Sequence, residues 1–157
     1  MATVMRAGTA FLVLLGVGIL LSGGCGELRP LPATFEAPEY APITYEELLA
    51  PGKAGLKAGQ KVKVPAFFWE FLTYDPAMAR NYLTLPRYPL RWYQMEWFAT
   101  YGTPQMQGYY DLAALDRQQQ RLYKLKRLDP IMLYGELSSL APGLYLRVHH
   151  IEKIEEE

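Results

Sequence analysis

The sequence predicts a mainly β (α+β) domain: a small five-stranded barrel, one helix between its third and fourth strands, and a short helix ahead of the first. Three observations carry this. Twelve Tyr, six Phe and three Trp in 157 residues are a heavy aromatic load, and aromatic rings fit the pleated, half-buried surface of a sheet. Five segments of strand-like length alternate or run apolar between Gly- and Pro-marked breaks. A single stretch of Gln, Arg and Lys, with Leu122, Leu125 and Leu128 as its apolar stripe, separates the third segment from the fourth.

Taken in order, Thr44-Tyr-Glu-Glu47 has the spacing of a capping box, so a short helix is expected over Tyr45 to Ala50, stopped by Pro51 and Gly52. Residues 52 to 59 read as a loop. The first strand begins near Gln60, where Lys61-Val-Lys-Val64 alternates strictly, and continues past Pro65 into Phe67-Phe-Trp-Glu-Phe-Leu72. Large apolar groups then point both ways, the mark of a long strand that bends and is covered on its second side. Asp75-Pro76, Pro86 and Pro89 make residues 74 to 89 a long loop, the kind that carries a partner site.

Arg91 to Phe98 is the second strand, with Tyr93, Met95 and Trp97 on one face. A turn follows over Gly102 to Gly108. Tyr109 to Leu115 reads as the third strand, or as the opening of the next helix. Asp116 stands where an N-cap would, before a helix from Arg117 to about Arg127 that Asp129-Pro130 ends. The fourth strand is Ile131 to Leu137, with a bulge or a close backbone approach at Gly135. A turn over Ser138 to Gly143 leads to the fifth, Leu144 to about Ile154, and Glu155 to Glu157 form a solvated tail.

Five strands with a helix between the third and fourth resemble the OB-fold barrel over roughly residues 60 to 154. Strand order carries the resemblance, and a different small mixed barrel or sandwich also fits.

The N-terminus has its own logic. Arg6 is the only charge ahead of an uncharged run from Ala7 to Leu21, which is secretory in length and short for a membrane span. The run ends in Leu21-Ser-Gly-Gly-Cys25, which resembles the lipobox of bacterial lipoproteins. That resemblance implies lipidation of Cys25 with palmitate-type chains, a mature protein starting at Cys25, and a membrane anchor. With Gly26 next, it implies the outer membrane facing the periplasm if the host is Gram-negative. An ordinary secretory signal or an uncleaved anchor is the alternative. The expected division is a signal peptide over 1–24, a lipidated Cys and Pro-rich tether over 25–43, and the barrel domain over 44–157.

Composition narrows the function classes. The chain has 16 basic and 16 acidic residues, and cleavage before Cys25 removes only Arg6, leaving 15 against 16. A net charge near −1 gives no field to attract nucleic acid. One Cys allows no internal disulfide, so the core alone must hold the fold. Adjacent strand residues point to opposite faces, so His149 and His150 are not expected to share a metal. No catalytic residue, metal ligand or cofactor site is assigned. Ser138 and Ser139 lack a nucleophile elbow. Glu70 and Glu96, both among aromatics, are a thin case for an envelope hydrolase. The basic residues Arg121, Lys124, Lys126 and Arg127 read as a solvated helix face.

One feature points to binding. Phe67, Trp69 and Phe71 are expected on one face of the first strand, opposite Val62, Val64, Ala66 and Phe68. A small barrel needs only one of these faces inside, so the other is either self-covered or a binding face. The expected function is thus a non-enzymatic, membrane-tethered module that binds or assembles with an envelope protein. The alternative is an envelope small-ligand or oligosaccharide binder.

Overall fold

The computed structural model describes residues 34–76, 94–140 and 143–154. After a single 3₁₀ turn at Ala37–Glu39 come β1 (Ala41–Pro42), α1 (Tyr45–Leu49), β2 (Lys61–Phe71), β3 (Met95–Tyr101), β4 (Tyr109–Asp116), α2 (Arg117–Gln120), β5 (Pro130–Leu140) and β6 (Gly143–Lys153). The strands run β1-β2-β3-β4-β6-β5, and β2 also pairs with β5. That pairing closes β2, β3, β4, β6 and β5 into a five-stranded barrel, with β4 and β6 parallel and the remaining barrel pairs antiparallel. With a helix between its third and fourth strands, this is the OB-type barrel the sequence predicts.

β2 closes the barrel by dividing its length. Residues 61 to 67 pair with β5, and 67 to 71 pair with β3. The free flank of its first half is taken by β1, which pairs in parallel through Ala41 with Val62 and Pro42 with Lys63. Val62, Val64, Ala66 and Phe68 all point inward and are at most 4% exposed. They meet Phe98, Leu115, Leu133, Leu146 and Val148 in one core.

Three bulges shape the wall. Trp69 is the extra residue of β2 against β3, β4 carries an extra residue between Tyr110 and Ala113, and His149 is the extra residue of β6 against β5. Each reverses the in-out alternation beyond it. Gly135 lies opposite the third bulge, where an added Cβ would stand 2.5 Å from the Arg147 carbonyl oxygen. The strands approach too closely there for any side chain.

α1 closes one barrel end. Thr44 Oγ1 accepts from the Glu47 amide and Glu47 accepts from the Thr44 amide, completing the capping box. Tyr45 and Leu48 are buried. The Tyr45 hydroxyl donates to the Thr100 carbonyl and accepts from the Tyr110 amide, and burial pushes its pKa up to about 12. Gly102 makes room for this ring: a Cβ there would be 2.5 Å from Tyr45 Cδ1.

Three expectations need correction. The helix expected to reach Arg127 stops at Gln120, and Asp116 makes no side-chain cap. Leu122 is 73% exposed, while Tyr123 and Leu125 turn onto the core and the Tyr123 hydroxyl accepts from the Ile151 amide. Of the expected stripe only Leu125 packs on the core, joined by Tyr123, while Leu122 and Leu128 stay exposed, so tertiary packing overrides the helical spacing. The expected turn at Ser138 is strand: Ser138 lies opposite Tyr145, and pairing continues to Leu140 and Gly143. The expected tether contributes to the fold over its last part, since Tyr40 is buried and β1 is a strand of the sheet. Its prolines permit this because Ala41 and Pro42 form a two-residue edge segment whose following amide, that of Ile43, donates to Lys63.

Candidate partner-binding face

The bulge at Trp69 splits the trio expected to share a face. Phe67 and Trp69 stay on the outer wall, while Phe71 packs against the core beside Phe68 and Phe98, at ring distances of 5.1 and 6.0 Å. The outer pair gains neighbours the sequence reading missed. Phe67 lies opposite Tyr101, and Tyr101 lies opposite Tyr109, one aromatic from each of three adjacent strands. Trp69 meets Tyr101 at 5.3 Å with planes 78° apart, and Tyr101 meets Tyr109 at 6.0 Å and 51°. Tyr109 is 54% exposed, and Leu49 and Met106 add exposed apolar surface from α1 and the β3–β4 loop. Strict alternation within each segment signals which residues face out, but only the register places them side by side.

The chain covers part of this ladder itself. The Arg127 guanidinium lies 3.9 Å from the Trp69 ring centroid and 2.7 Å from Glu70 Oε2. Cation–π attraction and the ion pair hold the same group in place. Leu128, at φ 68°, donates its amide to the Phe68 carbonyl and so fixes the approach of this segment to β2.

Glu70 and Glu96 are not brought together. Glu70 pairs with Ala99, three residues along β3 from Glu96, and each carboxylate has its own arginine: Arg127 for Glu70, and Arg117 at 3.3 Å for Glu96. Of the basic residues, Arg127 serves the ladder, and with the helix ended at Gln120 the four share no helical face. Cys25, residues 77 to 89 of the expected partner loop and residues 91 to 93 of the expected second strand lie outside the described residues.

The histidines depart from the alternation rule. Val148 and Ile151 are both interior, so the bulge between them places His149 and His150 together on the outer wall. His149 Nδ1 is 2.9 Å from the Tyr40 hydroxyl, and the His150 ring stacks on Phe35 at 4.2 Å. Burial, and then the Arg147 charge, hold the His149 pKa below the usual histidine value. Among the described residues, no three His, Cys, Asp or Glu side chains are grouped to hold a metal.

A further apolar cluster covers the outer wall of β3, β4 and β6, where Met95, Trp97, Leu140 and Tyr145 are at most 4% exposed. Beside it lie Trp97 Nε1, Arg147 Nε, Asp116 Oδ1 and Gln119 Oε1, buried and without hydrogen-bond partners. Clefts here are small: about 130 Å³ between Leu72–Asp75 and Met95–Trp97, and about 250 Å³ beside Arg117, Gln118 and Arg121. Pockets for small organic ligands usually run from about 300 to 1,000 Å³.

The barrel and its aromatic wall define a small OB-type domain whose outer face carries a row of tilted rings ending in an exposed Tyr109. No protein-family model matches the chain. No curated protein matches it either. Among solved structures, the OBody AM1L10 bound to hen egg-white lysozyme is 10% identical, covers 64% of this chain and 83% of its own, and superposes with a TM-score of 0.42. The hypothetical protein ygiW from E. coli is 13% identical, with 78% and 100% covered and a TM-score of 0.43. Likeness this loose carries no argument, and the OB assignment stands on strand order and closure.

Proposed function

We propose that this chain is a non-enzymatic binding or assembly module of the cell envelope. It is anchored through lipid on Cys25 and docks another envelope protein on the Phe67–Trp69–Tyr101–Tyr109 ladder. The observation that carries the docking half is the ladder itself: aromatics aligned across three strands, with Tyr109 54% exposed at the open end. Exposed aromatic rows with charged flanks are characteristic of protein-docking surfaces. Its geometry favours a protein over a sugar, because the rings are tilted against one another and Arg127 occupies a face of Trp69. A stacked saccharide would need a flat, unoccupied ring. The anchoring half is supported by the Leu21 to Cys25 motif behind an apolar leader.

Two experiments test the halves separately. Mass spectrometry of the mature N-terminus should find an acylated Cys25, lost in Cys25→Ala; an unmodified start elsewhere removes the anchor. A photo-crosslinking residue at Tyr109, used in intact cells, should give one discrete protein adduct that Tyr101→Ala abolishes while the melting transition remains. No adduct above background, or one indifferent to Tyr101→Ala, removes the docking face.

A further inference from the structure

Residues 35 to 43 do not leave the barrel freely; they are strapped along it. Tyr40 is 3% exposed and sits edge-on to Tyr134 at 5.5 Å. Phe35 stacks on His150 and meets Tyr134 at 4.8 Å. Glu39 pairs with Lys61, and the Ile43 amide donates to the Lys63 carbonyl at 2.9 Å. The Tyr40 hydroxyl is hydrogen-bonded to His149 Nδ1 at 2.9 Å, and Lys61 Nζ lies 5.7 Å from the ring centroid. That hydrogen bond joins the strap to the bulge of β6.

We propose that His149 is an acid-sensitive latch, which holds residues 35–43 on the barrel near neutral pH and releases them on acidification. The Tyr40 hydroxyl and His149 Nδ1 are hydrogen-bonded with both residues at most 9% exposed, so an imidazolium there, though able to donate to the Tyr40 oxygen, must hold its charge in a buried place that undocking of the strap would open to water. The surroundings oppose the added charge. Arg147 of β6 and Lys61 of β2 repel it, while Glu136 of β5 and Asp116 of β4 attract it, and burial and Arg147 outweigh the acids. Gln119 of α2 bonds the His149 carbonyl, leaving the ring without help from that side. His150 stands in a different setting, 3.3 Å from the Tyr123 hydroxyl and 4.0 Å from Glu152.

The sign follows from these positions. Docked His149 binds its proton less readily than undocked His149, so docking is at full strength above the ordinary histidine pKa of about 6.5. It weakens as pH falls below that value, until the docked ring itself protonates. Release would free nine residues, roughly 30 Å of extended chain. That gain in reach rests on the anchoring proposed above, whereas the latch does not.

Hydrogen exchange on the full chain tests it, read at the Ile43 amide and corrected for intrinsic rates. From about pH 7.5 to about pH 5.0, Ile43 protection should fall several-fold, with a ceiling of about thirtyfold set by an undocked histidine of ordinary pKa. The Leu137 amide, which donates to Gln60 within the barrel, should not change. His149→Gln keeps an acceptor for Tyr40 and should abolish the pH dependence, whereas His150→Gln should retain it. A flat wild-type profile, or a slope surviving in His149→Gln, overturns the latch. Should His149→Gln fail to fold, an NMR titration of wild-type His149 decides: a midpoint below about 6.5 supports the latch and one at or above it overturns it.

Discussion

Two of the aromatic clusters on the outer wall of this barrel are treated in opposite ways. Around the β6 bulge, Tyr40, Tyr134 and His149 are each at most 9% exposed because the chain folds its own residues 35 to 43 over them. Across β2, β3 and β4, the cover the described residues show is Arg127 on Trp69, and the ladder ends in a Tyr109 that is more than half exposed. Aromatic content alone says little about use. What matters is whether the chain supplies a segment to close the cluster. The first is part of the fold, and the second keeps an exposed edge at Tyr109, where the proposed partner would dock.

That contrast can be broken by substitution, from the largest effect to the smallest. Tyr40→Ala should cost about 3 kcal/mol in urea unfolding, since it empties a buried aromatic site under a hydrogen bond. Tyr45→Phe keeps the ring and removes a hydroxyl with backbone partners on β3 and β4, for a loss of about 1–2 kcal/mol. Arg127→Ala should cost about 0.5–1 kcal/mol, because its pair with Glu70 and its place on Trp69 are half-exposed. Tyr109→Ala should change stability by less than about 0.5 kcal/mol while abolishing partner capture. If Tyr109→Ala destabilises as much as Tyr40→Ala, the two clusters are alike and the ladder is structural.

The five barrel strands, the capping box and the inward set of β2 were legible in the sequence because each is a local pattern, whereas the short edge strand β1 in the expected tether was not. Thr44 and Glu47 are three residues apart, and Val62, Val64, Ala66 and Phe68 follow a simple period of two. What stayed hidden depends on bulges and on long-range pairing. One extra residue at Trp69 sends Phe71 inward, and one at His149 puts two neighbouring histidines on the same side. Nothing local to Tyr101 or Tyr109 announces that the register sets them beside Phe67. The helix after β4 misled for a related reason: Leu122, Leu125 and Leu128 have helical spacing, yet the core takes Leu125 with Tyr123 and leaves the other two exposed.

The most direct test of the central contrast is hydroxyl-radical footprinting of the full chain at neutral pH, read at Tyr40 and Tyr109 by mass spectrometry. Tyr109 should oxidise rapidly and Tyr40 should be protected, with that protection lifted on acidification. Equal oxidation of the two at neutral pH would contradict the contrast, because the strap would then not cover the first cluster and the ladder would no longer be the distinctly open one.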